Sequence, residues 1–216
     1  MKKKKIIGFD RKIELEWINY TTELVSRGLP ESKIRQELAQ RLSVYGLGSS
    51  KGGARSKTIT VLTRLWLNVS DDIIPLRDKA IDLYKSANND EKVVLHICLA
   101  ITNYPFFFDV MTQIGRLLKL QDSFSSKQVS RRIVEKWGDT QRVKRSVGHV
   151  LQTLKLWEVI EPLQKISLYS NSKNSYIPRK RIHSFIENTL KISLGNKFTI
   201  GESNGHPAMF FCRQKM

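Results

Sequence analysis

Two amphipathic helical stretches separated by a short break constrain this chain more than any other feature. Phe124 to Pro162 reads as a helix, a tight turn at Trp137-Gly138-Asp139-Thr140, a second helix and the start of a strand. Ser125 with Gln128 three residues on forms a capping-box pattern, and Val129, Ile133, Val134 and Trp137 then recur on one face. Gly138 stops that helix, because a residue without Cβ enters the left-handed region at little cost, and Asp139 or Thr140 caps the next one. In the second helix Val143, Val147, Val150, Leu151 and Leu154 make an apolar stripe. At about 100° per residue, Arg142, Arg145, His149 and Gln152 point the other way. The run Leu154-Lys155-Leu156-Trp157-Glu158-Val159-Ile160 turns strand-like, as where a recognition helix passes into a wing. A plain helical hairpin with a solvated basic face shares this local pattern.

Upstream, Ile13, Trp17, Leu24 and Val25 recur at helical spacing until Gly28, and Ile34, Leu38 and Leu42 mark a second helix after Pro30. This pair has the outline of another helix-turn-helix, with Glu31 and Glu37 diluting its charge. Gly46 to Thr58 is rich in glycine and serine and reads as a linker whose Lys51, Arg55 and Lys57 can meet phosphates. A nucleotide-binding loop is not met there: Ser56 stands where GxxxxGK[ST] requires glycine, and a helix, not a buried strand, precedes it. Ser56 to Asp122 is helical throughout, including a strongly apolar helix over Val93 to Thr102, a break at Pro105 and a further helix through Leu118. The aromatic cluster Phe106-Phe107-Phe108 reads as core, and His96 as a core histidine with its hydrogen bonds satisfied. Downstream, Lys165 to Ser170 and Ser175 to Pro178 flank Asn171-Ser172-Lys173-Asn174, a hairpin signal in the wing position. Arg179-Lys180-Arg181 opens a last helix to Leu194, and the tail from Gly195 lacks periodicity.

The expected fold is therefore mainly α: a helical bundle with helix-turn-helix elements and a small β-hairpin wing. Four regions are expected: helical 1–50, a central helical scaffold 51–123, a winged helix-turn-helix-like 124–194, and a tail 195–216.

Charge narrows the partner. The net charge of +17 comes from 37 Lys and Arg against 20 Asp and Glu. Residues 1–67 hold 14 basic and 6 acidic side chains, 68–123 hold 6 and 8, and 124–216 hold 17 and 6, so the excess lies toward both ends. That distribution suits a polyanion binder built on a neutral scaffold. The 2 cysteines, Cys98 and Cys212, have no zinc-ligand spacing and point to a reducing, cytoplasmic setting. No apolar run approaches the roughly 20 residues of a membrane span. No HExxH or GxSxG is present, no Asp/Glu-x-Lys pair is placed on strands, and His149, His183 and His206 share no ligand spacing, so neither catalysis nor a cofactor or metal is expected.

The series Arg55-Ser56-Lys57-Thr58-Ile59 with Leu62 to Leu65, the apolar helices through Tyr104 to Leu118, the basic helix-turn-helix and Leu154 to Ile160 resemble the BrxA family, the small non-enzymatic component of BREX phage-resistance systems. The likeness spans roughly residues 55–162; the lysine-rich start and the glycine-serine loop lie outside it. It implies a mostly helical, helix-turn-helix protein that binds DNA within a multi-gene bacterial defence system, beside other defence proteins, and it supplies no catalytic residues. The expected contacts with double-stranded DNA come from helical geometry. Arg145 and His149 enter the major groove with Gln152 beside them. Arg142, Lys144 and Lys127 hold phosphates, Arg131 is a further DNA-binding residue, and Lys173 with Arg179, Lys180 and Arg181 meets the backbone from the wing side. An RNA-binding helical adaptor, or a scaffold docked within a defence complex, would use the same basic and neutral surfaces.

Overall fold

A computed structural model describes residues 7–48, 50, 52–164, 166–172, 176, 179–195 and 205–212. In chain order the elements are α1 (Leu15–Ser26), α2 (Glu31–Ser43), α3 (Ala54–Trp66), α4 (Ile74–Tyr84), α5 (Asn89–Asn103), α6 (Pro105–Leu118), β1 (Ser123–Ser125), α7 (Ser126–Trp137), α8 (Gln141–Leu156), β2 (Ile160–Pro162), β3 (Leu168–Asn171) and α9 (Lys180–Leu194). The architecture is mainly helical with one small antiparallel sheet.

The helix α5 sits at the centre because it has almost no polar face. Val93 to Ile101 is buried on every side, against α1, α3, α4, α6 and α9. Its start is fixed by a capping box in which Asn88 accepts from the Glu91 N–H and Glu91 accepts from the Asn88 N–H. Its end is set by Pro105, whose ring disfavours helical backbone at the residue before it; Tyr104 is accordingly extended, and α6 departs at 118° to α5. His96 on α5 is buried, as expected of a core histidine. Its Nδ1 accepts from the Trp66 indole at 3.1 Å, and Nε2 meets Asn19 Oδ1 at 2.8 Å. Asn19 Oδ1 also accepts from the Tyr84 hydroxyl at 3.0 Å. Burial lowers the imidazole pKa to about 3. The aromatic run also belongs to the core: Phe106 and Phe107 are fully buried.

The linker is shorter than its composition suggests, since α3 begins at Ala54 and takes in Arg55 to Thr58. Arg55 closes the preceding loop by donating to the Leu47 carbonyl at 2.9 Å. The α1–α2 pair forms around Gly28, which sits at φ +69. Charges on α2 are matched locally by Arg35–Glu31, Lys33–Glu37 and Arg41–Glu16 pairs.

The segment α6–β1–α7–α8–β2–β3 has the order of a winged helix-turn-helix. Its sheet runs β1-β3-β2, with Phe124 opposite Tyr169 and Pro162 also opposite Tyr169. The wing is thus the β2–β3 hairpin. The expected hairpin of 165–170 with 175–178 is corrected in its pairing: Leu168 to Ser170 lie in β3, both of whose edges are taken by β1 and β2, and Tyr176 bridges Cys212 instead, while Lys165, Ser175, Ile177 and Pro178 lie outside the described residues. Likewise Leu154 to Leu156 completes α8 rather than starting a strand, because Leu154 finishes that helix's buried stripe. Of the tail, residues 205–212 are described. Ala208, Met209 and Phe211 are buried, and Pro207 lies directly against Gly115 of α6.

Candidate nucleic-acid interface

The expected caps position the two helices. Ser125 and Gln128 complete the capping box of α7, Gly138 ends it at φ +89, and Thr140 Oγ1 accepts from the Val143 N–H at 3.2 Å to start α8. Trp137 then anchors α7 on α6, its indole donating to Asp109 Oδ2 at 2.8 Å. Val143, Val147, Val150, Leu151 and Leu154 turn inward as expected.

The outward face of α8 is wider than its sequence pattern suggests. Gln141, Lys144, Arg145, Gln152 and Lys155 are exposed along it, with Gly148 half-buried at its middle. No acidic residue occurs in this helix. Lys144 shares its charge with Asp139 at 2.6 Å, an exposed pair of small energetic weight. On α7, Lys127 and Arg131 are exposed one turn apart.

Arg142 is exposed and His149 half-buried on the flank of that face, where another part of the chain packs against α8. Thr153, though polar, is buried: its hydroxyl accepts from the Ile13 N–H at 3.0 Å, and the Trp157 indole donates to the Ile13 carbonyl at 3.0 Å. Phe9 is fully buried edge-on to Tyr104 at 5.3 Å between ring centres. Gly8, at φ +66, passes so close to Tyr104 that a Cβ would lie 2.8 Å from the ring. This fastened segment carries Asp10 and Arg11 to α8. There Asp10, Arg11, Lys57, Arg142, Arg145, Ser146 and His149 line a cleft of about 560 Å³. His149 is held less basic than usual, first by burial and then by Arg11, with Asp10 acting in the opposite direction.

The expected wing-side cations divide differently. Arg179 and Arg181 are not on the wing, and both are engaged by the α4–α5 junction. Arg179 Nε donates to Glu91 Oε1 at 2.6 Å, and Arg181 Nη2 to the Ser86 carbonyl at 2.7 Å. The cause is Glu91, a carboxylate only 1% exposed that needs cationic partners. Both arginines thus take part in a structural clamp while their side chains stay partly exposed. Lys180 is exposed at the start of α9, and Lys173 lies outside the described residues.

Sequence reasoning missed Arg11, Ser146, Gln141 and Lys155. Continuing the helical wheel one turn past Gln152 would have found Lys155. Nothing local signals Arg11, which reaches α8 only through tertiary packing.

Among the described residues, no group of three or more His, Cys, Asp or Glu side chains is arranged to hold a metal, and no single helix is long and apolar enough to cross a membrane. Comparison of the chain with protein-family models, curated proteins and solved structures gave no match. Chemically, the arrangement offers exposed guanidinium, ammonium and amide donors along one helix, a set suited to phosphates and base edges.

Proposed function

We propose that this protein is a non-enzymatic, cytoplasmic binder of double-stranded DNA that uses α8 as its recognition helix and the β2–β3 hairpin as its wing. The observation that carries this reading is the acid-free outward face of α8, set by a winged helix-turn-helix order of elements. A major groove admits such a helix, and Arg145 and Gln152 are side chains able to pair with base edges there. Lys155, Lys127 and Arg131 then serve phosphates. Duplex DNA is favoured over duplex RNA because the A-form major groove is too deep and narrow to receive a helix. The resemblance to the BrxA family supports a place in a BREX-type phage-defence system, with other defence proteins as partners.

The test is a fluorescence-anisotropy titration of random duplex DNA at several salt concentrations, comparing the wild type with Gln152→Glu, Lys155→Glu. The expected result is at least a tenfold loss of affinity and a log–log salt slope shallower by about 0.9 for each phosphate that the variant no longer neutralises. Unchanged affinity and slope in a folded variant would remove α8 from the interface.

A further inference from the structure

We infer that the cleft between the Asp10–Arg11 segment, the start of α3 and the flank of α8 is a binding site for a phosphate group. Four cations, Arg11, Lys57, Arg142 and Arg145, line it against the single carboxylate of Asp10. They come from three separate parts of the chain, so their convergence is a product of the fold and not of local composition.

Ser146 at the cleft supplies the second observation. A serine inside a helix ordinarily returns its hydroxyl to the carbonyl four residues back. Thr153 on the same helix does so, donating to the His149 carbonyl at 2.9 Å. Ser146 does not: its residue is 1% exposed, and its Oγ is buried with no hydrogen-bond partner among the described groups. The Nε of Arg11 is buried and unpartnered in the same way. Unmet buried donors are costly, and a tetrahedral oxyanion accepts from a hydroxyl and a guanidinium at once. The fastening of Ile13 to Thr153 and Trp157 holds the backbone that carries Arg11 against α8 before any ligand arrives.

The phosphate has two possible sources. As a backbone phosphodiester beside α8, it extends the DNA-binding reading and rests on it. As a monoester on a free nucleotide or a DNA 5′ end, it is independent of that reading.

Arg11→Ala and Lys57→Ala are compared with the wild type in three titrations: inorganic phosphate by calorimetry at low ionic strength, and the same duplex by anisotropy with and without 5′-phosphates. Lys57 is exposed, so its removal leaves the packing intact; matched thermal midpoints establish folding of both variants. For the backbone source, both variants bind either duplex about tenfold more weakly, with a salt slope shallower by about 0.9. For the monoester source, the wild type binds inorganic phosphate or prefers the 5′-phosphorylated duplex, and both variants lose that binding or preference. If folded variants match the wild type in all three titrations, or the wild type binds neither duplex nor phosphate, the site is refuted. A loss confined to Gln152→Glu, Lys155→Glu would refute the cleft while leaving the recognition helix standing. Phosphate binding without duplex binding would do the reverse.

Discussion

Arg179 Nε donates to Glu91 Oε1 at 2.6 Å, joining the start of α9 to the start of α5 across 88 residues of chain. The same carboxylate accepts from the backbone of Asn88, so a helix cap and an inter-helix clamp share one side chain. The Arg179 hydrogen bond, aided by the cap, lowers the Glu91 pKa from 4.5 to about 2. Because the folded-state pKa is depressed, the stabilisation is present above pH 4.5 and fades as pH falls through about 2. Glu91→Gln is expected to cost about 1–3 kcal/mol at pH 7, the weight of a hydrogen bond to a charged group. Denaturant titrations of both proteins should show the deficit shrinking as pH falls from 4.5; a constant deficit would assign it to packing instead.

His96 sets a second, separate acid limit. Its folded pKa of about 3 lies below the ordinary 6.5, so below pH 6.5 the unfolded chain takes up a proton that the core refuses. Stability is then expected to fall by up to about 1.4 kcal/mol per pH unit between 6.5 and 3. With Nδ1 accepting from Trp66, the proton belongs on Nε2, facing Asn19. Nitrogen NMR of the imidazole at about pH 5 should show that neutral tautomer. An imidazolium signal under those conditions would contradict it.

Gly115 is expected to be intolerant of any side chain. A Cβ there would fall inside the carbonyl of Pro207, with backbone on both sides and no flexible atom to yield. Gly115→Ala should cost about 1–3 kcal/mol, as overpacking does. The damage should be local: amide exchange should accelerate over residues 208–212 while α5 keeps its protection. Unchanged protection at Phe211 would mean that α6 shifts instead.

Gly148 should show the opposite sign in stability. It lies within α8, where a Cβ would meet nothing within 4 Å. Gly148→Ala should therefore stabilise the fold by about 0.5–1 kcal/mol. On the proposed recognition face, however, the added methyl would hold the helix axis farther from a groove floor. Thermal denaturation and duplex titration should move in opposite directions. If affinity is unaltered, the middle of α8 does not approach DNA closely.

Sequence reasoning succeeded where a feature is written into neighbouring residues. The Ser125–Gln128 box, the stop at Gly138, the Thr140 cap and the inward stripe of α8 all rest on local geometry, and each is found in place. It failed where partners are distant. Tyr176 sits in a β-prone run, yet its bridge goes to Cys212 and not to a hairpin mate. Arg179 and Arg181 look like free surface cations until the buried carboxylate of Glu91 is seen beside them. The three-residue β1 is too short for any alternation to announce it. The cleft is the extreme case, since Arg11 and Ser146 share no pattern in the chain.

The bond between the Ile13 N–H and the Thr153 hydroxyl spans 140 residues, and this separation sets the order in which the two can meet. The Phe9–Ile13 segment precedes its partners in the chain and finds them only once α8 and Trp157 have followed. Until then its amide and carbonyl stay with water, and loop closure over so long a contour slows its docking. Helices α1 to α3 pack on one another without that segment's partners. A phosphate cleft closed by that late docking would be absent from incomplete chains, so phosphate binding would double as a report that folding has finished.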